Sequence, residues 1–226
     1  MTRRPYVLLS AAMSVDGCLD DASDTRLLLS NEEDFDRVDA LRAASDAILV
    51  GANTIRRDNP RLLVRSASRR ADRVARGLAA DPIKVTVSAS GDLDPASRFF
   101  TDGDAPRLVY ASGARTADRF AGLATVVDLG VAPEPAAVLA DLAERHIRTL
   151  MVEGGTSMHT QFLAEGLADE LQLTIAPFFV GDRDAPRFVH SGSFRWNAEH
   201  PMSLREVRTM GDVVLLRYLL NGVADG

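Results

Sequence analysis

An α/β fold on one mixed, mainly parallel sheet is predicted by three observations. Short apolar runs recur along the chain with helical segments between them, the alternation that builds parallel sheets. The last two runs instead read as a hairpin, which adds antiparallel strands at one side. No repeat, low-complexity tract or linker interrupts the series, so a single domain over residues 1–226 is expected.

Taken in order, YVLLSAAM (6–13) reads as the first strand. An acidic helix follows over about 31–44, with Ser30 and Glu33 in capping-box spacing. DAILVG (46–51) is a buried strand, and GANTIRRD (51–58) starts a short helix that Asn59-Pro60 stops. IKVTVS (83–88) and PRLVYA (106–111) are strands, 115–122 and 135–146 helices, with TVVDL (125–129) extended between them. TLMVEG (149–154) is a strand, 156–165 a helix, and DELQLTIAPFFVG (169–181) a long strand broken at Pro177. SLREVRTM (203–210), a Gly211-Asp212 turn and VVLLRYLL (213–220) form the hairpin. Residues 66–80 show no strand period and read as loop or short helix, and Arg195-Trp196 has no assignment.

Composition narrows the function. A chain of 226 residues, 46% hydrophobic and 26% charged, can bury a core without a metal or disulfide staple. Cys18 is the only cysteine, which excludes intramolecular disulfides and any zinc site built on two or more cysteines, and favours a cytoplasmic protein. No metal site is expected. No apolar run approaches the ~20 residues that span a bilayer. The N-terminus faintly resembles a secretion signal, but Ser10, Ser14 and Asp16 interrupt it. Net charge is −6, unevenly spread: residues 20–46 hold nine acids and three arginines, residues 56–76 eight arginines and two aspartates. The basic stretch is a candidate for anionic small molecules or, over 66–76, a solvated loop. The absence of interleaved aromatics argues against nucleic acid.

Three strand ends carry candidate chemistry. VEGGTS (152–157) places a carboxylate and two glycines before a helix, where unpaired N–H groups and a partial positive charge favour phosphate. The same stretch also reads as a capped turn. It is neither a Walker loop nor GxGxxG, and Ser157 and His159, two apart, cannot face each other as a nucleophile pair. Glu153 needs a partner, either an arginine or the paired N–H groups of an aminopyrimidine. In VGANTIRRDNPRLLVR (50–65), Asp58-Asn59-Pro60 serves as a turn, or else Asp58 reaches a reacting centre while Arg65 holds a phosphate. AMSVDG (12–17) is the third, bending at Asp16-Gly17. His159 is read as helix surface.

These three segments, taken in chain order from about residue 5 to 220, resemble the riboflavin-pathway pyrimidine reductases of the RibD C-terminal type. The combination of GxxTxxxDNPxLxxR with VEGGxxxxxxFL carries the resemblance. It implies a three-layer α/β/α, dihydrofolate-reductase-like fold, NADPH as cofactor and a homodimer. It also implies roles. Met13 (by its backbone), Thr54, Ser88 or Ser90, Gly154, Gly155, Thr156 and Ser157 match cofactor-contacting positions, the serines near the adenosine 2′-phosphate. Asp58, Leu62, Arg65, Arg42 and Glu153 match substrate positions, with Asp58 catalytic. Ser10, at a further substrate position, stands where many members carry lysine, and Leu28 where they carry tryptophan. The implied reaction is hydride transfer to C1 of an opened ribose held as an imine on an aminopyrimidine 5′-phosphate, by a stand-alone reductase acting before or after deamination of the ring. A paralogue reducing a pterin-like or secondary-metabolite ring, and a nucleotide-binding protein without turnover, are the competing readings.

Overall fold

The computed structural model describes residues 4–221 apart from 24, 26 and 131. The chain divides into two compact units, Val38–Met151 and, on either side of it in sequence, Tyr6–Arg37 with the residues from Val152 on. Among the described residues no helix is long and apolar enough to cross a membrane.

In the first unit, α1 (Glu32–Ala44, shared with the second) leads into β2 (Ala47–Gly51), α2 (Ala52–Asp58), α3 (Ala67–Ala75), β3 (Ile83–Val87), α4 (Arg98–Thr101), β4 (Arg107–Tyr110), α5 (Ala114–Arg119), β5 (Thr125–Val127), α6 (Pro135–Glu144) and β6 (Thr149–Val152). The strands run in the order β5-β4-β3-β2-β6. β2 pairs with β3, β3 with β4 and β4 with β5, all parallel. Every residue of β2 is buried, as expected for a parallel strand covered on both faces. Ile48, Val50, Val109 and Met151 share a core with Ile55 of α2, Phe99 and Phe100 of α4, and Phe120, whose ring stacks on Phe100 at 4.7 Å. On the opposite face the Tyr110 hydroxyl donates to Asp141 of α6 at 2.6 Å. Helices therefore lie on both faces of this sheet, the layering expected from the sequence.

Local chemistry corrects one reading and decides another between its alternatives. The N-cap of α1 is Asn31, not Ser30: its Oδ1 accepts the Asp34 N–H at 3.0 Å. Residues 67–75 are a helix capped by the Ser66 hydroxyl, which accepts the Arg69 N–H. Five of the eight nearby arginines turn onto the protein itself. Arg56 and Arg73 donate to main-chain carbonyls, while Arg61, Arg69 and Arg70 pair with Asp102, Asp39 and Asp81. Residues 67–75 are thus a braced helix and not a solvated loop. The four-residue helix α4 has no counterpart in the sequence expectation, because about one turn is too short to show a repeating apolar period.

Lys84 is fully buried on β3. Its ammonium donates to the carbonyls of Phe99 (3.1 Å) and Asp102 (2.6 Å), closing the end of α4. Burial, and then the charge of Arg107, lower its pKa from 10.5 to about 8. Because the folded-state value lies below the unfolded one, the ammonium costs stability below pH 8, and that cost is relieved as pH rises from about 8 to 10.5. Lys84→Met lacks this relief. The unfolding free energy of the wild type minus that of the variant is expected to rise by at most ~3 kcal/mol between pH 7.5 and 10.5, measured by denaturant titration. A flat difference would contradict the assignment.

The second unit holds β1 (Tyr6–Ser14), α7 (Thr156–Ala164), β7 (Glu170–Ala176), β8 (Ser203–Met210) and β9 (Val213–Leu219). β1 runs parallel to β7, β9 antiparallel to β7, and β8 antiparallel to β9. The strand order β1-β7-β9-β8 makes the C-terminal hairpin the outer pair, as expected, and β7 ends just before Pro177. Along β7 the buried polar residues Glu170, Gln172 and Thr174 alternate onto one face. Glu170 accepts from Tyr6, Gln172 and Arg217, and Arg37 donates to both Gln172 and Thr174. Such burial is tolerated because the polar groups meet partners. Trp196, unassigned from sequence, is tied to this unit by its indole N–H, which donates to the Leu220 carbonyl.

Candidate functional site

The predicted site residues fall in both units. In the first, β2 passes directly into α2, and Gly51 begins the helix with extended backbone and no side-chain cap. Thr54 is half-buried on α2. Asp58, the last helical residue, is exposed. The helix stops because Asn59 adopts the left-handed conformation (φ 44°), from which its N–H reaches the Ile55 carbonyl at 3.1 Å, and Pro60 prevents continuation. The Asn59 Oδ1 in turn accepts the Arg98 N–H at 2.7 Å. Turn chemistry and the presentation of Asp58 are therefore the same feature.

Beyond it, Leu62 has a left-handed φ of 52° and a side chain 1% exposed in the apolar cluster. Its side chain belongs to the core, so a ligand contact at this position would have to come from the backbone. Residues 63–65 lie outside any helix or strand, ending at the exposed Arg65. Arg42 donates to the Leu63 carbonyl at 3.2 Å, which places this predicted substrate residue beside the same segment. At the end of β3 the two candidate serines differ. Ser88 is buried, with its hydroxyl accepting the Gly91 N–H at 3.1 Å, whereas Ser90 is exposed and its hydroxyl accepts the Asp92 N–H at 3.3 Å.

In the second unit, β1 ends in a turn built around Ser14 and Asp16. The Asp16 carboxylate accepts from the Ser14 hydroxyl (2.5 Å) and from the N–H groups of Gly181 (2.8 Å) and Val180 (3.1 Å), which hold its pKa well below the usual carboxylate range. Gly17 takes the positive φ (84°) that the bend requires. Met13 is half-buried beside Ile175 in the ladder, and Ser10, 6% exposed, pairs in register with Gln172.

Glu153 is half-buried. Gly154 follows with φ +129°, a conformation L side chains rarely adopt, and Gly155 is the N-cap of α7. No side chain caps this helix and its first turn holds no acid. The Thr156 hydroxyl donates to the Arg187 carbonyl at 2.6 Å, and Ser157 lies exposed with its hydroxyl 3.5 Å from His190 Nε2. His159 is not on the surface as expected: it is 1% exposed, leaning back toward the helix N-terminus, with its ring 5.1 Å from that of Phe188. Burial lowers its pKa to about 4, so it is a neutral imidazole. Uncapped amides, hydroxyls, no acid and a side-chain-free approach at Gly154 suit an anionic phosphate. The turn therefore fits a phosphate group, with Gly154, Gly155, Thr156 and Ser157 as the residues that would hold it.

Sequence reasoning missed Asp39 and Asp81, which brace these segments, and at Asp16 it found the bend but not the carboxylate's hold on Val180 and Gly181. Asp39 and Arg65 lie 26 positions apart, and no local pattern joins them.

Comparison with known proteins agrees with this arrangement. The 2,5-diamino-6-ribosylamino-4(3H)-pyrimidinone 5′-phosphate reductase of Archaeoglobus fulgidus is 36% identical over 195 residues, covering 84% of this chain and 89% of that protein. The crystal structure of a pyrimidine reductase-like protein from Corynebacterium diphtheriae superposes with a TM-score of 0.80 at 25% identity, over 95% of this chain and 91% of that one. Dihydrofolate reductase from Enterococcus faecalis, complexed with NADP(H), matches at a TM-score of 0.52 and 11% identity over 96% of this chain and 97% of its own, a likeness of fold. The sequence model of the RibD C-terminal domain matches residues 5–216, a span that takes in the Asp58 turn, the glycine turn and strands of both units, and the chain belongs to that family.

Proposed function

We propose that this chain is an NADPH-dependent reductase converting a ribosylamino-pyrimidine 5′-phosphate to its ribitylamino form in riboflavin biosynthesis, as a single reductase domain over residues 1–226. The observation that carries the reading is a family match running through both units, together with a relative, similar over 84% of the chain, that is named for this reaction. That relative's name specifies the 2,5-diamino ring, which favours reduction before deamination.

NADPH, when bound, supplies the hydride. Gly154, Gly155, Thr156 and Ser157 hold its phosphates, Thr54 and the Met13 backbone contact it, and the exposed Ser90 rather than the buried Ser88 meets the 2′-phosphate. Asp58 gives a proton to the imine nitrogen as C1 is reduced, or stabilises the iminium form. Arg65 holds the 5′-phosphate, Glu153 accepts ring N–H groups, and Arg42 and the Leu62 backbone shape the substrate segment, with Ser10 at a further substrate position. The protein is cytoplasmic and a homodimer in this reading. Support for the dimer is the outer strand β8, whose Leu204 and Val207 are 52% and 58% exposed.

The test follows NADPH absorbance with purified protein and three substrates: the diaminopyrimidinone phosphate, its deaminated uracil counterpart, and dihydrofolate. Fastest turnover is expected with the first. Turnover of dihydrofolate alone would replace the proposal with a pterin-type reductase, and NADPH binding without any turnover would point to a binder.

A further inference from the structure

We propose that Asp39 is a positioning residue that fixes Arg65 for recognition of the substrate phosphate, an inference that rests on the phosphate-binding role given to Arg65 above. The segment running into Arg65 has no sheet partner to satisfy its backbone. Three successive N–H groups are instead taken by carboxylates. Val64 donates to Asp81 Oδ1 at 2.8 Å, Arg65 donates to Asp39 Oδ1, and Ser66 donates to Asp39 Oδ2 at 3.2 Å. Arg69 completes the set by donating to Asp39 Oδ2 at 2.9 Å, and Arg42, one turn further along α1, holds the Leu63 carbonyl.

Asp39 is 4% exposed, so both of its oxygens are committed to these donors in a dry setting. Burial alone would raise its pKa. The N–H of Arg65, then the Arg69 guanidinium and the N–H of Ser66, outweigh that and lower it, so the group is ionised at neutral pH. A charged carboxylate in such a place is costly unless it is paired. A neutral amide cannot substitute: whichever way an asparagine turned, its NH₂ would face an N–H donor. The bond to the Arg65 main chain sets where this exposed side chain leaves the backbone. A displacement of about 1 Å at such a contact is enough to weaken it substantially.

The experiment uses the full chain and compares the aminopyrimidine 5′-phosphate with its 5′-hydroxyl counterpart. For Asp39→Asn we expect KM for the phosphorylated substrate to rise about tenfold, with KM for the 5′-hydroxyl compound and for NADPH unchanged and kcat within twofold. That split marks lost ground-state binding at the phosphate and not general unfolding. In an Arg65→Ala background the same change should add nothing to the lost phosphate preference. Arg69→Met, at a partly exposed side chain, loosens Asp39 from its outer side and should give the same loss in smaller measure, about threefold; it serves as the probe if Asp39→Asn does not fold.

A lowered melting temperature with phosphate preference intact would overturn the proposal, as would an equal rise in KM for both substrates or a full effect persisting without Arg65. If Arg65→Ala itself leaves the preference intact, the role of Arg65 fails first, and that of Asp39 with it. If the wild type turns over neither compound, the reductase reading fails separately. Titration with ribose 5-phosphate against ribose then reads the same coupling: equal affinities in wild type and Asp39→Asn would overturn it.

Discussion

Asp58→Asn is expected to lower kcat by roughly 10²- to 10⁴-fold, the range a positioned general acid contributes. The substitution keeps the size of the side chain and its capacity to accept a hydrogen bond, but removes the proton that the substrate nitrogen must receive. Asp58 is exposed at the end of α2, and the helix stop is made by the Asn59 backbone and Pro60, so that stop does not depend on its charge. The melting temperature should therefore stay within about 2 °C of the wild type. NADPH affinity, read by fluorescence titration, should be unchanged, because the glycine turn assigned to the cofactor belongs to a different part of the chain. Comparable losses in turnover and NADPH affinity would show that Asp58 shapes the cofactor site and does not supply the proton. Asp58→Glu keeps the acid and lengthens its reach, and is expected to recover part of the rate.

What the sequence made legible, and what it hid, divides along physical lines. Strand β2 and the stop at Asn59-Pro60 were readable because continuous apolar runs and proline act locally. So was the hairpin, where Gly211 takes a positive φ of 59° between two alternating strands. The segment over 67–75 could be read only as loop or short helix because its arginines are set by acids distant in sequence, Asp39 and Asp81, and not by an apolar stripe. The burial of His159 was hidden for a similar reason. Its cover, Phe188, lies 29 positions downstream in a connection without secondary structure. Leu62 and Ser88 show a subtler limit: a motif match fixes a position in the chain but not whether the side chain or the backbone faces outward.

Gly154→Ala offers the sharpest test of the glycine turn, because conformation and space can be separated there. A Cβ at Gly154 would have ordinary room, its nearest neighbour being His159 Cε1 at 3.8 Å. The obstacle is the φ of +129°, which costs a non-glycine residue on the order of 1–3 kcal/mol. The chain is expected to relax that strain by turning the peptide that leads into α7, which swings the first uncapped amides away from a bound phosphate. NADPH affinity should fall by roughly 10- to 100-fold, the equivalent of about 1.4–2.7 kcal/mol, while kcat at saturating NADPH changes less. Gly211→Ala is the matched control. It too places a side chain at positive φ (59°), with Asn31 Nδ2 3.5 Å from the added carbon, but in the β8–β9 turn. Both variants should lose stability in denaturant melts, and only Gly154→Ala should lose cofactor. Equal NADPH affinity in the two would remove the glycine turn from the cofactor site and leave it as a tight strand-to-helix junction only.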